Sequence, residues 1–244
     1  MRVMTKALLF WLVAGTIATA DEGWTDLLPA GSLEAWKPPH HAWAFVSGVH
    51  LKDGNPKLLD RDDGDGNVLW NGPTGRTGNI VTKEKFGDVE LHVEFVVPKG
   101  SNSGVKLHGH YEIQISDCYG KPTATASDCG GIYPRAELLP RYHHIDEGYP
   151  PRVNACKPPG EWQTMDITFR APEFDKDGNK TRNARFEKVV LNGEVIHADV
   201  DLPYPTGHAW HNKEMREGPI LLQGDHGPVA FRNLRVRALK SSAK

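Results

Sequence analysis

The chain lacks most of what would mark a helical, nucleic-acid-binding or zinc-stapled protein. It has only three cysteines, with no CxxC pair and no regular cysteine/histidine spacing, which argues against a structural zinc site. Beyond residue 20 no apolar run approaches the ~20 residues that a membrane span needs. Lysine and arginine number 29 against 31 aspartates and glutamates, so no basic stripe exists to neutralise phosphates and no nucleic-acid partner is expected. Past residue 20 no stretch shows the 3.6-residue apolar period of an amphipathic helix, and there is no internal repeat or domain linker.

The first twenty residues read as an export signal. Arg2 and Lys6 give a basic start, residues 7–17 are almost wholly apolar, and Ala18-Thr19-Ala20 is a small-residue cleavage site. No cysteine follows Ala20, so a lipoprotein anchor is not expected. The mature chain should begin at Asp21 and be periplasmic or secreted. An oxidising compartment then predicts one disulfide and one leftover thiol among Cys118, Cys129 and Cys156. Cys118–Cys129 closes the shortest loop and is preferred, with the other two pairings left open.

The roughly 220 residues that remain suit one large all-β domain, 21–244. Its clearest strand runs over 89–97, where Val89, Leu91, Val93, Phe95 and Val97 alternate with Glu90, His92 and Glu94. Pro98-Lys99-Gly100-Ser101-Asn102 turns the chain, and residues 104–108 lead back toward a strand at Tyr111, which predicts a three-stranded meander. Met165, Ile167 and Phe169 mark another strand. Leu191-Asn192-Gly193 carries the Asn-Gly signal of a tight hairpin. Asp175-Lys176-Asp177-Gly178-Asn179 also reads as a hairpin turn, because Phe186 stands where a calcium loop needs its bidentate glutamate. The acidic, glycine-rich stretch from Asp60 to Asn67 offers closely spaced oxygen ligands for calcium, but without the terminal glutamate at the right spacing a solvated turn is the preferred reading. Residues 134–159 form a long, proline-rich loop, the kind that rims or covers a site. Together these elements predict an antiparallel jelly-roll sandwich whose curved sheet offers a groove for an extended or sugar-like ligand.

Two stretches concentrate polar chemistry. In Tyr111-Glu112-Ile113-Gln114-Ile115-Ser116-Asp117 the apolar residues alternate with Glu112 and Gln114, which a strand places side by side on one face. That face is either a solvated sheet surface or a working one. Asp117 lies just beyond the strand end. The second stretch, Gln223-Gly224-Asp225-His226-Gly227, ends an apolar strand with a carboxylate next to an imidazole that titrates near neutrality. Its bland alternative is a turn capped by Asp225. Lys157 is a candidate cation or a rim charge. His108, two residues beyond Lys106 on the expected strand face, would line the same groove. Tyr133 and Trp162 are candidate stacking platforms, with core packing the alternative for Trp162. His143, His144, His208 and His211 read as surface residues.

Taken in order, several segments resemble the bacterial 3-keto-disaccharide hydrolase family, also described as 3-keto-glucoside 1,2-lyase/2-hydroxy-glucal hydratase. They are Gly23-Trp24 to Leu28, Phe86-Gly87-Asp88, Asn102-Ser103-Gly104-Val105, Tyr111-Glu112-Ile113-Gln114, Gly131-Ile132-Tyr133, Lys157-Pro158-Pro159-Gly160-Glu161-Trp162, Leu191-Asn192-Gly193, Gly218-Pro219-Ile220 to His226, and Phe231-Arg232-Asn233. Residues 135–148 look like an insertion relative to the family pattern. The resemblance implies a concanavalin-A-like jelly roll and an exported enzyme that cleaves 3-keto-glycosides. A C3 ketone acidifies the C2 proton; a base removes it, the C1 substituent is expelled, and water adds to the glucal. On this reading Glu112, Asp225, His226 and Lys157 are the catalytic candidates. Gln114, Asp117, His108, Tyr133, Gln223 and Trp162 would contact a small carbohydrate substrate. Glu112, Asp225 and His226 offer O and N ligands for a divalent metal, and no organic cofactor is implied. A lectin-like binding module and an ordinary two-carboxylate glycosidase are the competing readings.

Overall fold

Alternating burial builds the scaffold of this computed structural model, which describes residues 23–239. The expected export signal lies outside the described residues. Along Val89–Val96 the side chains of Val89, Leu91, Val93 and Phe95 enter the core, while Glu90, His92 and Glu94 stay half-buried on the outer face. The strand is flanked by Gln163–Arg170 and Ala230–Ala238, both antiparallel to it. They centre an eight-stranded sheet, which continues through Ala184–Leu191 and Glu194–Leu202 on one side. On the other it runs through Val68–Trp70 and Ala44–Val46, with Thr25–Asp26 also paired to Ala230–Ala238.

Facing it is a four-stranded sheet ordered Ile80–Val81, Leu221–Leu222, Asn102–Leu107, Tyr111–Ser116. Ile132 extends this sheet by bridging Ile113, and Tyr149 bridges Ile132 in turn. Val105, Leu107, Tyr111, Ile113, Ile115 and Leu222 pack against Leu91, Val93, Phe95, Phe169 and Phe231 in one core. Tyr111, Phe169 and Phe186 form an aromatic run with ring centroids 5.3 and 5.4 Å apart. Each such buried ring contributes about 1.5–3 kcal/mol over its exposed state. A smaller apolar cluster (Val46, Leu59, Val68, Trp70, Val96 and Ala230) lies on the outer face of the large sheet. The fold is an all-β antiparallel jelly-roll sandwich. No α-helix occurs among the described residues, and no helix there is long and apolar enough to cross a membrane.

The hairpins read from sequence form as expected. Asn192 at φ 52° and Gly193 at φ 90° make the left-handed turn between Ala184–Leu191 and Glu194–Leu202. Glu173–Phe174 pairs with Lys180–Arg182 around Asp175, whose carboxylate accepts from the Asp177 and Asn179 amides. The expected meander does not form. Both edges of Val89–Val96 are already taken within the large sheet, so the turn at 98–101 carries the chain across to the small sheet. Asn102–Leu107 then pairs with Tyr111–Ser116.

The cysteines also correct the preferred pairing. No disulfide is formed among the described residues, and Cys118 Sγ lies 2.7 Å from Cys156 Sγ rather than being bonded to Cys129. The residue 150–157 segment returns beneath the loop that follows Tyr111–Ser116, which is why Cys156 is the neighbour despite its distance in sequence.

Candidate active site

Hairpin register decides which polar groups meet on the small sheet. The turn at 108–110 pairs Leu107 with Tyr111, so Lys106 falls opposite Glu112 and Gly104 opposite Gln114. Tyr111, Ile113 and Ile115 take the core face, leaving Glu112 and Gln114 together on the outer one. That outer face is not solvated. Glu112 is 3% exposed and Gln114 2%, because the 134–149 region folds back over them. In that region Ala136–Glu137 pairs with His143–His144, a short hairpin whose tip carries Leu138, Leu139 and Tyr142.

A cavity of about 400 Å³ lies between this hairpin and the sheet. Lys106, Glu112, Gln114 and Gln223 line it from the sheet, Tyr133 and Tyr142 from the hairpin side, and His226 from the C-terminal turn. Lys106 Nζ donates to Glu112 Oε2 at 2.8 Å, with both side chains largely buried. Gly104 makes room for the other carboxylate oxygen: a Cβ there would stand 2.4 Å from Glu112 Oε1. Gln114 Nε2 donates to Asn102 Oδ1 at 3.2 Å and to the Ser127 carbonyl at 3.3 Å, fixing its amide plane. Gln223 is held by its backbone, with its N–H donating to Gly104 O and its carbonyl accepting from Ser103 Oγ. Its side-chain Oε1 is buried without a partner among the described residues.

The imidazole arrives on a turn anchored from below. Asn71 is fully buried and donates to Gly224 O and Gly227 O at 3.2 and 2.8 Å, while its Oδ1 accepts from Val229 N. Asn79 Oδ1 accepts from Gly224 N at 2.8 Å. On this turn His226 Nδ1 lies 2.6 Å from Asp225 Oδ1. With the Nδ1 proton given to Asp225, Nε2 is left for a ligand. Across the cavity the Tyr142 hydroxyl donates to Tyr133 at 2.9 Å, and burial, the Tyr133 hydroxyl and the Glu112 charge together push the Tyr142 phenol above its ordinary pKa. It stays protonated, a donor.

Five of the expected residues therefore share one cavity: Glu112, Gln114, Tyr133, Gln223 and His226. Asp225 stands behind His226 without lining it. The others are elsewhere. Asp117 spends its carboxylate on the Gly100 and Tyr119 amides. Lys157 Nζ donates to Trp162 O, and the Trp162 ring lies 4.1 Å from the Arg232 guanidinium, packed on the outer cluster of the large sheet. His108 follows the strand end at φ 55°, which swings its ring off the Lys106 face and against Tyr111 and Phe169. Burial there lowers its pKa to about 4.

The sequence reading passed over Lys106, Asn102, Tyr142 and His208 as cavity residues. For Lys106 a signal existed, since pairing outward from the 108–110 turn sets it against Glu112. Asn102 shares that strand face, four residues before Lys106. Nothing local marks Tyr142 or His208, whose places depend on chain returning from far away. The metal set does not assemble. Among the described residues no three His, Cys, Asp or Glu side chains are gathered to hold an ion. Moreover, Glu112 Oε2 is engaged by Lys106 and Asp225 Oδ1 by His226. The residues present do not fit the proposed Glu112–Asp225–His226 ligation.

A polar floor and aromatic walls, set in a cleft of a jelly roll, make a site for a small polar ligand. The chain belongs to the family of 3-keto-alpha-glucoside-1,2-lyase-like domains, whose model matches residues 23–237. Among solved structures it is similar to a candidate glycosyl hydrolase from Parabacteroides distasonis, at 29% identity and a TM-score of 0.62, over 89% of this chain and 84% of that one. A second candidate glycosyl hydrolase from the same organism shares the fold at 22% identity and a TM-score of 0.55, over 88% and 99% of the two chains. No curated protein matches the chain.

Proposed function

We propose that this protein is an exported enzyme that cleaves 3-keto-glycosides by elimination followed by hydration. The observation that carries the reading is the buried Lys106–Glu112 pair on the cavity floor, with His226 on the same cavity. Family membership supports the same chemistry. Glu112 presents a carboxylate, the form that takes up a proton, and acts as the base toward C2. Lys106 sits beside it, where the C3 oxygen gains negative charge as the enolate forms, and donates to that oxygen. The enolate collapses with expulsion of the C1 substituent, which leaves as an alcohol after gaining a proton from His226 or water. Addition of water to C1 and return of the proton to C2 complete the net hydrolysis, giving one 3-keto-sugar and one alcohol. The amides of Gln114 and Gln223 bind ring hydroxyls, and Tyr133 and Tyr142 flank the ring.

The test is incubation with 3-keto-trehalose or a 3-keto-aryl-glucoside beside the unoxidised sugar, with and without a chelator. Release of glucose or phenol from the keto form alone supports the reading. Binding of plain glycan without turnover makes the protein a lectin-like module, and cleavage of plain sugar makes it an ordinary glycosidase. Activity lost to the chelator and restored by a divalent ion would assign the C3 carbonyl's polarisation to a metal instead of Lys106.

A further inference from the structure

Away from the cavity, three thiols converge at the base of the segment that walls it. Cys118 closes the strand carrying Glu112 and Gln114, Cys129 precedes the Gly130-Gly131 pair bonded to Gln114, and Cys156 precedes Lys157. Cys118 Sγ and Cys156 Sγ are 2.7 Å apart. The approach is built in. Asn154 Nδ2 donates to Cys118 O at 2.8 Å and to Lys121 O at 3.0 Å, while its Oδ1 accepts from the Cys118 thiol and the Cys156 amide. On the far side Asn192 Nδ2 donates to Ala155 O at 2.8 Å. The Cys156 segment is thus held against Cys118 by its own Asn154 and by Asn192 of a separate hairpin. The Cys156 thiol and burial keep Cys118 protonated. Cys156 is raised too, its hydrogen bond to Cys118 being outweighed by the Cys129 thiol and burial, but it is the partly exposed member that a reagent reaches first.

We propose that Cys118 and Cys156 are a disulfide site, and that Cys129 is the unbonded third thiol. With oxidised glutathione as oxidant, the Cys156 thiolate attacks one sulfur and releases one glutathione thiol. The Cys118 thiolate then attacks Cys156 Sγ of the mixed disulfide and releases the second. Two protein thiols are oxidised, one glutathione disulfide is reduced to two thiols, and the two protons pass to the departing thiolates. The bond closes the chain from 118 to 156, which contains Tyr133, Leu138 and Tyr142. All the hairpin's contributions to the cavity then lie within one covalent loop.

The experiment is peptide mapping of the full chain under non-reducing conditions, after equilibration with oxidised glutathione, together with thiol counting in denaturant. The expected result is a Cys118–Cys156 linked peptide and one titratable thiol per chain, with none left in Cys129→Ser. Reduction should lower the thermal midpoint of wild type by about 10 °C, the scale for a loop of this length in a chain of this size. It should leave Cys156→Ser unmoved. A Cys118–Cys129 or Cys129–Cys156 peptide, an intermolecular bridge, or three thiols surviving oxidation would overturn the proposal. The wild-type map decides the matter even if a serine variant fails to fold.

Discussion

Lys106 and Glu112 face each other across paired strands, and their 2.8 Å contact lies on the floor of the cavity. A carboxylate this deeply buried needs a cation, and Lys106 supplies it. Glu112→Gln keeps an acceptor for Lys106 and should cost about 1–3 kcal/mol of stability. Turnover of a 3-keto-aryl-glucoside should fall by about 10²–10⁴-fold. Phenol release at a near-wild-type rate would remove Glu112 from the chemistry.

Gly104 is small because Glu112 needs the space. Gly104→Ala puts a methyl 2.4 Å from Oε1, and the carboxylate must rotate away from its present position. A displacement on the ångström scale costs roughly 10²-fold in rate. The expected signature is a lower kcat with little change in KM, read by steady-state kinetics; an unchanged kcat would mean the carboxylate's position is not critical.

Acid should weaken the fold through His108. Its pKa falls from an ordinary 6.5 to about 4 because burial disfavours the charged ring. The unfolded chain therefore binds a proton over that interval while the folded one does not. Stability is full above about pH 6.5 and is lost as pH drops toward 4, by about 3 kcal/mol for this residue. His110 and His197, also lowered by burial, act in the same direction. Urea midpoints at pH 4.5 and 7 should converge in His108→Asn, since Asn tolerates the left-handed backbone there. A variant as acid-sensitive as wild type refutes this assignment.

Asn71→Ala strips three hydrogen bonds from the turn that presents His226. Leaving buried backbone groups unpaired should destabilise the protein by about 2–4 kcal/mol, measured by denaturant titration. Asn71→Asp keeps the acceptor for Val229 N but loses both donated bonds, so it should not restore the midpoint.

Hairpin-tip residues should behave differently. Leu138 and Tyr142 are about half exposed yet line the cavity. Truncating both to alanine should shift the thermal midpoint by only a degree or two and raise KM several-fold, with kcat less affected. A large kcat loss with unchanged KM would place Tyr142 in the chemistry.

Much of the sandwich was legible in the sequence because alternation at 89–97, 111–116 and 163–170 is a local signal. The Asn192-Gly193 hairpin was legible from its turn residues. The polar floor followed from alternation once Tyr111 was assigned inward. Long-range returns left no such trace. The crossover at 98–101 reads locally like any turn, and only the filled edges of Val89–Val96 force the chain to change sheets. His108 failed because strand alternation was carried one residue past the strand's end into a left-handed turn. Lys157 and Trp162 failed because a motif's position in sequence says nothing about which side of the sandwich it lands on.

The hairpin at Ala136–Glu137 and His143–His144 is attached at the rim of the small sheet and contributes no strand to either main layer. Lys106 and Glu112 stand on paired strands of that sheet, and Leu138 and Tyr142 stand on an appendage. On the proposed function, substituting that appendage changes which glycosides are admitted while the Lys106–Glu112 pair stays on its strands, so one chemistry can serve many leaving groups.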